Sequence, residues 1–365
     1  MKKICLTVTT DLTYDQRMIR ICTALAEAGY DVLLIGRKKK NSLPLVNRPY
    51  RQKRLSTISE KGKLLYISYN IRLFFFLLGQ KTDLFCAIDL DTILPVWIIS
   101  SLKRKQRVYD AHELFCEMKE IVTRPVTYKA WKKIEKICVP KFKWGYTVNQ
   151  PIADEFNRMY SVKYAVVRNV PFLRQFDENT PKEPFIIYQG SVNEGRSFET
   201  LIPAMQWIKI PLIICGQGNF MDQLKTLINK YNVADKVILK GLVTPEDLLP
   251  LTRKALIGIT LFENNGESNY LSLANRFFDY MHAGTPQLCV DYPAYREINN
   301  LKQIAVTVTD LSPENIAQQI NNLIADETLY KTLRNNCLEL RQQINWDKEK
   351  EALLLFYKTL FETVE

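Results

Sequence analysis

Histidine is scarce in this chain, with two among 365 residues. The eight cysteines (Cys5, Cys22, Cys86, Cys116, Cys138, Cys215, Cys289, Cys337) are scattered, and none stands in a Cys-x-x-Cys pair. Structural zinc needs such pairs or clustered histidines, so no metal site is expected. Single thiols inside apolar runs read as buried and reduced, which fits a cytoplasmic protein. Long apolar runs are missing too. Segment 64–79 is short and holds Arg72, and segment 84–102 is broken by Asp89, Asp91 and Pro95. A spanning helix needs about 20 mostly apolar residues, so neither is expected to cross a bilayer. The opening MKKICLTVTTDLTYD lacks the continuous apolar block of a secretory signal, and its alternation reads as a first buried strand. Low-complexity tracts and solenoid-period repeats are absent, which excludes disordered and array architectures.

What is present is an uneven charge. Residues 1–173 hold 31 Lys+Arg against 15 Asp+Glu, and the remainder holds 19 against 24 within a total of +11. The basic half suits phosphates, anionic lipid headgroups or nucleic acid. Its most basic stretch, Arg37–Arg54 (RKKKNSLPLVNRPYRQKR), has eight Lys/Arg and no acid. It reads as a loop that can meet an anionic membrane surface. No helix-turn-helix, zinc or RNA-binding motif accompanies it, so a nucleic-acid partner is not expected.

Short apolar strands alternate with helical segments along the chain. Ile4–Thr9, Asp31–Ile35, Leu84–Ile88, Arg107–Tyr109, Tyr146–Val148 and Tyr164–Val167 read as strands in the first half. Residues 168–184, with three prolines, read as a linker. The rhythm restarts with strands at Phe185–Gln189, Leu212–Cys215, Val237–Lys240, Leu256–Leu261 and Pro286–Asp291, and turns helical from Pro313. Such alternation implies βα units and parallel sheets. We expect two doubly wound α/β domains, 1–173 and 174–345, with a C-terminal helix over about 346–365 packing back on the first. Ligands bind beyond the carboxyl ends of parallel strands, so sheets that face each other would share a central cleft.

The most specific segment is NRFFDYMHAGTPQL, Asn275–Leu288. It reads as a helix starting near Ser272 and stopping at Gly284. A helix start offers unpaired N–H groups and partial positive charge to a diphosphate. Asp279, one turn in, could accept both hydroxyls of a ribose, or could be a surface acid on a structural helix.

This segment resembles the donor-site signature of glycosyltransferase family four (glycosyl transferases group 1), enzymes of GT-B fold with two Rossmann-like domains. The resemblance implies that Asp279 binds the nucleotide ribose and that Ser272, Asn275 and Arg276 lie at the donor phosphates. YQGSVNEGRSFETLIPAM (188–205) resembles the opening of that family's C-terminal domain, which implies a donor role for Gly190 and a diphosphate role for Arg196; a second basic residue common there is Ser191 here. ICGQGN (214–219) resembles the family's Gly-x-Gly turn, bringing in Gly216. KVILKGLVTPEDL (236–248) resembles the base-reading segment, near Leu242 and Val243. VYDAHELFCEM resembles the strand ending in Asp-x-His, which puts His112 and Glu113 near the transferred sugar as candidate catalytic residues. His112 alone reads equally as a loop histidine satisfied by Asp110. The first turn, TTDLTYDQRMIR, offers Asp15 and Arg17 on the acceptor side, or an internal pair. Many relatives carry two glutamates separated by seven residues; the second, the ribose ligand, is Asp279 here, and the first, which contacts the sugar, is at the position of Leu271.

The implied activity is transfer of a sugar from a UDP- or GDP-sugar donor to a glycan or lipid-linked acceptor in surface polysaccharide synthesis, with retention of configuration. No permanently bound cofactor is implied. The expected location is cytoplasmic, peripheral on the inner membrane face. A sugar-nucleotide epimerase of the same fold and a non-catalytic nucleotide-sugar-binding homologue are the alternatives.

Overall fold

The computed structural model describes residues 1–178, 180–264 and 266–363. It divides into two compact units, one formed by Met1–Asn169 and the chain from Glu349 onward, the other by Val170–Lys348. The expected boundary at 173/174 thus falls just inside the second unit. Among the described residues no helix is long and apolar enough to cross a membrane.

The first unit holds β1 (Lys3–Thr7), β2 (Asp31–Lys38), β3 (Arg51–Ser56), β4 (Leu84–Ile88), β5 (Gln106–Ala111), β6 (Trp144–Thr147) and β7 (Ala165–Val166). They pair in parallel in the order β3-β2-β1-β4-β5-β6-β7. The second unit holds β8 (Glu183–Gln189), β9 (Leu212–Cys215), β10 (Val237–Gly241), β11 (Ala255–Thr260), β12 (Gln287–Val290) and β13 (Ala305–Val308). Its order is β10-β9-β8-β11-β12-β13, again parallel. Both orders reverse beside the first strand of the unit, the place where doubly wound sheets open a crevice at their strand ends.

The strands form where apolar runs can be covered on both faces. LFCAI of β4 is buried throughout, as is LIIC of β9. Helix Gln16–Glu27 starts where a side chain takes up a free amide: the Asp15 carboxylate accepts the Met18 N–H, 3.1 Å away. In the second unit, a Cβ on Gly258 would lie 2.5 Å from the Tyr280 ring. The bare backbone therefore lets helix Asn275–His282 settle onto the sheet. There the Tyr280 hydroxyl accepts from the Gln189 N–H and donates to the Ile187 carbonyl. Helix Trp346–Glu362 supplies the first unit with Tyr357, whose ring meets Tyr146, and Phe361, which stacks on Tyr30.

The stretch Arg37–Arg54 is not one basic loop. Its first residues finish β2 and its last four begin β3, an edge strand. Arg51 pairs with Asp31, and the Arg54 guanidinium donates to the Asp11 and Leu43 carbonyls and to the Thr13 hydroxyl. Edge strands carry charge to discourage further pairing, which hides them from a search for apolar alternation. β13 was likewise outside the expected strands. All eight cysteines are buried and unpaired.

Candidate donor site and the His112 cluster

The second unit gathers its predicted residues at the carboxyl ends of β8, β9 and β11. The loops after β8 and β9 run almost in contact, since a Cβ on Gly216 would fall 1.8 Å from the Gly190 carbonyl oxygen. Backbone hydrogen bonds sew them together: the Gly190 N–H donates to Cys215, and the Val192 N–H to Gln217. The β8 loop is also strained, with left-handed φ at Gly195 (+77°) and at the buried Ser197 (+56°). For a residue with a side chain that conformation costs about 1–3 kcal/mol. The Glu263 N–H donates to Gly195, which ties the exit of β11 to the Arg196 loop.

Arg196 and Arg276 converge on one ring. Their guanidinium carbons lie 4.4 and 4.6 Å from the centre of Phe262, and that of Arg276 also lies 4.5 Å from the Tyr188 ring. The Tyr292 hydroxyl, donating to the Phe262 carbonyl, holds the ring's backbone. Arg276 is buried. Its Nη1 donates to the Tyr188 hydroxyl and the Gln189 carbonyl, while Nη2 and Nε have no hydrogen-bond partner among the described residues. A buried cation paired with no carboxylate is costly, and an incoming anion removes that cost. Arg276 is therefore ready to receive negative charge.

Asp279 is oriented by a residue that the sequence did not single out. Gln189 Nε2 donates to Asp279 Oδ2 at 2.9 Å, and Gln189 Oε1 accepts from the Thr252 hydroxyl at 2.7 Å. The amide is thus locked with its donor toward Asp279. The only clue in sequence is that Gln189 directly precedes Gly190 at a strand end.

The helix expected from Ser272 begins at Asn275. The Ser272 hydroxyl donates to the Asn269 carbonyl, three residues ahead of the helix, and Tyr295 takes up the Ala274 N–H. Asn275 is exposed at the helix start, and Leu242 and Val243 sit between β10 and helix Pro245–Lys254 with Leu242 exposed. Leu271, in place of the relatives' glutamate, closes the short helix Glu267–Leu271 and is half-buried. His282 is buried against the Ile344 carbonyl, and burial lowers its pKa to about 4.

In the first unit, His112 and Glu113 follow β5, both half-buried. Asp89 Oδ2 is 3.4 Å from His112 Nδ1, and Asp110 Oδ2 is 3.1 Å from Nε2. The second is a charge contact rather than an aligned hydrogen bond. Burial opposes charge on the ring, but the two carboxylates prevail and raise its pKa to about 9. His112 is consequently an imidazolium at neutral pH, without the free base expected of a proton acceptor. Asp89 has a left-handed φ of +54° and also accepts the His112 backbone N–H, so its strain is spent on fixing this ring.

The structure places Asp15 and Arg17, expected on the acceptor side, in contacts within the first unit. Asp15 is a helix cap and accepts from the Thr10 hydroxyl. Arg17 is buried, donating to Asp110 Oδ1 at 2.9 Å and to the Val167 carbonyl at 2.9 Å. It does not pair with Asp15, and its charge is used on Asp110, whose pKa it lowers against the effect of burial. Asp91, one residue past the start of the next helix, is buried with Oδ2 on the Thr9 hydroxyl and Oδ1 unpartnered; burial raises its pKa to about 7.

Residues 170–339 match the family model described as "Glycosyl transferases group 1". They are a glycosyl transferases group 1 domain. That domain is nearly coextensive with the second unit. A curated Campylobacter jejuni protein, N-acetylgalactosamine-N,N'-diacetylbacillosaminyl-diphospho-undecaprenol 4-alpha-N-acetylgalactosaminyltransferase, is 24% identical over 157 residues, 42% of this chain and 41% of that protein. The match therefore spans less than half of its length. Sucrose-phosphate synthase from Thermosynechococcus elongatus superposes with a TM-score of 0.82 at 19% identity, covering 100% of both chains. Anabaena HepE in complex with UDP-glucose superposes with a TM-score of 0.74 at 12% identity, covering 98% of this chain and 100% of that one. The fold around the group 1 domain is accordingly GT-B, the two-domain α/β architecture.

Proposed function

We propose that this protein transfers a sugar from a nucleoside-diphosphate sugar, UDP- or GDP-linked, to a glycan or lipid-linked acceptor. The observation that carries the reading is Arg276, a buried guanidinium with two unpartnered nitrogens beside Arg196 on the Phe262 ring. Asp279, aimed by Gln189, takes the ribose hydroxyls. The Gly190 and Gly216 turns admit the diphosphate close to backbone, and Leu242 and Val243 meet the base.

Bond breaking at the anomeric carbon builds negative charge on the departing phosphate. Fixed cations aimed at that charge stabilise the transition state without reorganising. Arg196 and Arg276 fill this role, with the amides at Asn275 as further donors. His112 contributes as a held cation beside the transferred sugar, with Glu113 next to it. Support for the donor class comes from the fold shared with HepE, whose complex holds UDP-glucose. Support for a lipid-linked acceptor comes from the Campylobacter relative, named for a diphospho-undecaprenol substrate. Surface polysaccharide synthesis, retention of configuration and a place on the inner membrane face complete the proposal.

The test is titration of UDP, GDP and their sugars by calorimetry against the unmodified protein, Asp279→Ala and Arg196→Ala. Micromolar binding of one nucleotide sugar, lost in both variants while their folds persist, is the expected result. Unchanged affinity in both variants would overturn the site. Consumption of donor without any acceptor would favour the epimerase instead.

A further inference from the structure

One face of the first unit is apolar and uncovered among the described residues. On helix Gly62–Leu78, Leu64, Ile67, Ile71, Phe75 and Leu78 are exposed at 64, 55, 53, 67 and 48%. Their spacing of three and four residues lines them along one side. The opposite side, Leu65, Tyr69, Leu73 and Leu77, is buried in the unit. A helix apolar on both sides is ordinarily buried on both.

Cations stand at each end of this stripe. Lys61 and Lys63 are exposed at its start. At its finish, the turn after the helix and the end of helix Leu90–Leu102 line a cavity of about 500 Å³ with Lys3, Lys81, Lys103 and Lys105. Lys103 Nζ donates to the Gln80 carbonyl, which joins the cavity to the end of the stripe. The lining has one acid, Asp83, and it is already engaged by the Lys3 N–H and Lys105. Leu102, exposed at 66%, borders the same place. The helix itself contains no Asp or Glu.

We propose that this face is a membrane-docking surface: helix Gly62–Leu78 lies in the plane of an anionic bilayer, its apolar stripe below the headgroups and the lysine cavity on a lipid phosphate. An interfacial helix of this kind binds through apolar area together with basic residues that contact anionic lipid. Charge selects this occupant over a second copy of the chain. A two-fold contact through the stripe would set the lysines of one copy against lysines of the other, with no acid on the helix to meet them. This docking element is a different one from the Arg37–Arg54 stretch, whose Arg51 and Arg54 are engaged within the unit. The inference rests on the proposed membrane-side acceptor only for its setting, because its test uses neither donor nor acceptor.

Co-sedimentation of the full chain is measured with vesicles of phosphatidylcholine alone and with added phosphatidylglycerol, alongside Ile71→Glu/Phe75→Glu and Lys81→Gln/Lys103→Gln/Lys105→Gln. We expect binding to the anionic vesicles, at least about 10-fold weaker binding to the neutral ones, and a similar or larger loss in each variant, since each basic residue near the surface multiplies partitioning about 5-fold. Thermal midpoints and UDP affinity of both variants should match the unmodified protein, because the changed side chains are on the surface. Anionic vesicles that fail to bind the unmodified chain, or that bind the Ile71→Glu/Phe75→Glu protein as well as it, overturn the proposal. So does a dimer in sedimentation velocity that the glutamates dissociate while vesicle binding is absent. Loss of UDP binding by the unmodified protein would count against the transferase reading and leave this surface standing.

Discussion

Replacing Arg276 by methionine separates a binding role from a structural one, because the two predict opposite balances. In the free protein, methionine removes a hydrogen bond to the Tyr188 hydroxyl at 3.1 Å, a longer one to the Gln189 carbonyl at 3.4 Å, and ring contacts at 4.5 and 4.6 Å. A hydrogen bond from a charged group contributes about 1.5–3 kcal/mol and a cation–ring contact about 0.5–2 kcal/mol. Against this, the substitution spares the burial of a cation with two unpartnered nitrogens, a cost of several kcal/mol. These nearly cancel, so stability without ligand should change by no more than about 1 kcal/mol, or about 2–4 °C in a unit of this size. Donor binding has no such cancellation. Losing one or two charge-assisted bonds to phosphate, together about 2–4 kcal/mol, weakens nucleotide affinity about 30- to 1000-fold. The assay is a pair of thermal melts with and without saturating UDP or GDP, backed by calorimetric titration. A variant that melts about 10 °C or more lower yet binds nucleotide as before would refute the argument, since the guanidinium would then be a structural strut.

Gln189→Leu should weaken nucleotide affinity in the same direction as Asp279→Ala, and the double variant should add little, because the amide acts through Asp279; additive losses in a double-mutant cycle would break that link. Gly216→Ala must force open a contact of 1.8 Å between neighbouring loops, and we expect about 1–3 kcal/mol of destabilisation with loss of donor binding, read by denaturant unfolding and titration. His112 holds its proton more tightly folded than unfolded, so its contribution is full below about pH 6.5 and disappears as pH rises through about 9. The stability gap between the unmodified protein and His112→Gln should therefore close between those pH values, and a gap constant from pH 6 to 10 would contradict the ion cluster. Asp91 has the same sign at lower pH: its pKa is raised from 3.8 to about 7, so the folded state loses stability as pH climbs from about 4 through about 7. Asp91→Asn should be relatively more stable at pH 8 than at pH 5, as melts at both values will show.

The order of strands and helices was readable because it depends on local pattern. LFCAI and LIIC are short apolar runs bounded by breakers, and parallel sheets bury such runs on both faces. The NRFFDYMHAG helix stood out because its polar residues sit at its start and on one turn. Boundaries were less legible where the pattern is weak: β3 is the charged sequence RQKRLS, and only its place at the sheet edge makes it a strand.

The sequence by itself determined two parallel α/β units and proposed Arg196, Arg276 and Asp279 as one donor site. Tertiary structure alone decided which charges remain available. Arg17 and Asp110 are 93 residues apart in the chain, and Gln189 and Asp279 are 90 apart. Arg17 is used up, Arg276 is buried without a counterion among the described residues, and His112 is clamped as a cation. These outcomes follow from desolvation and charge contacts within a few ångströms, which depend on distances in space that no local spacing encodes.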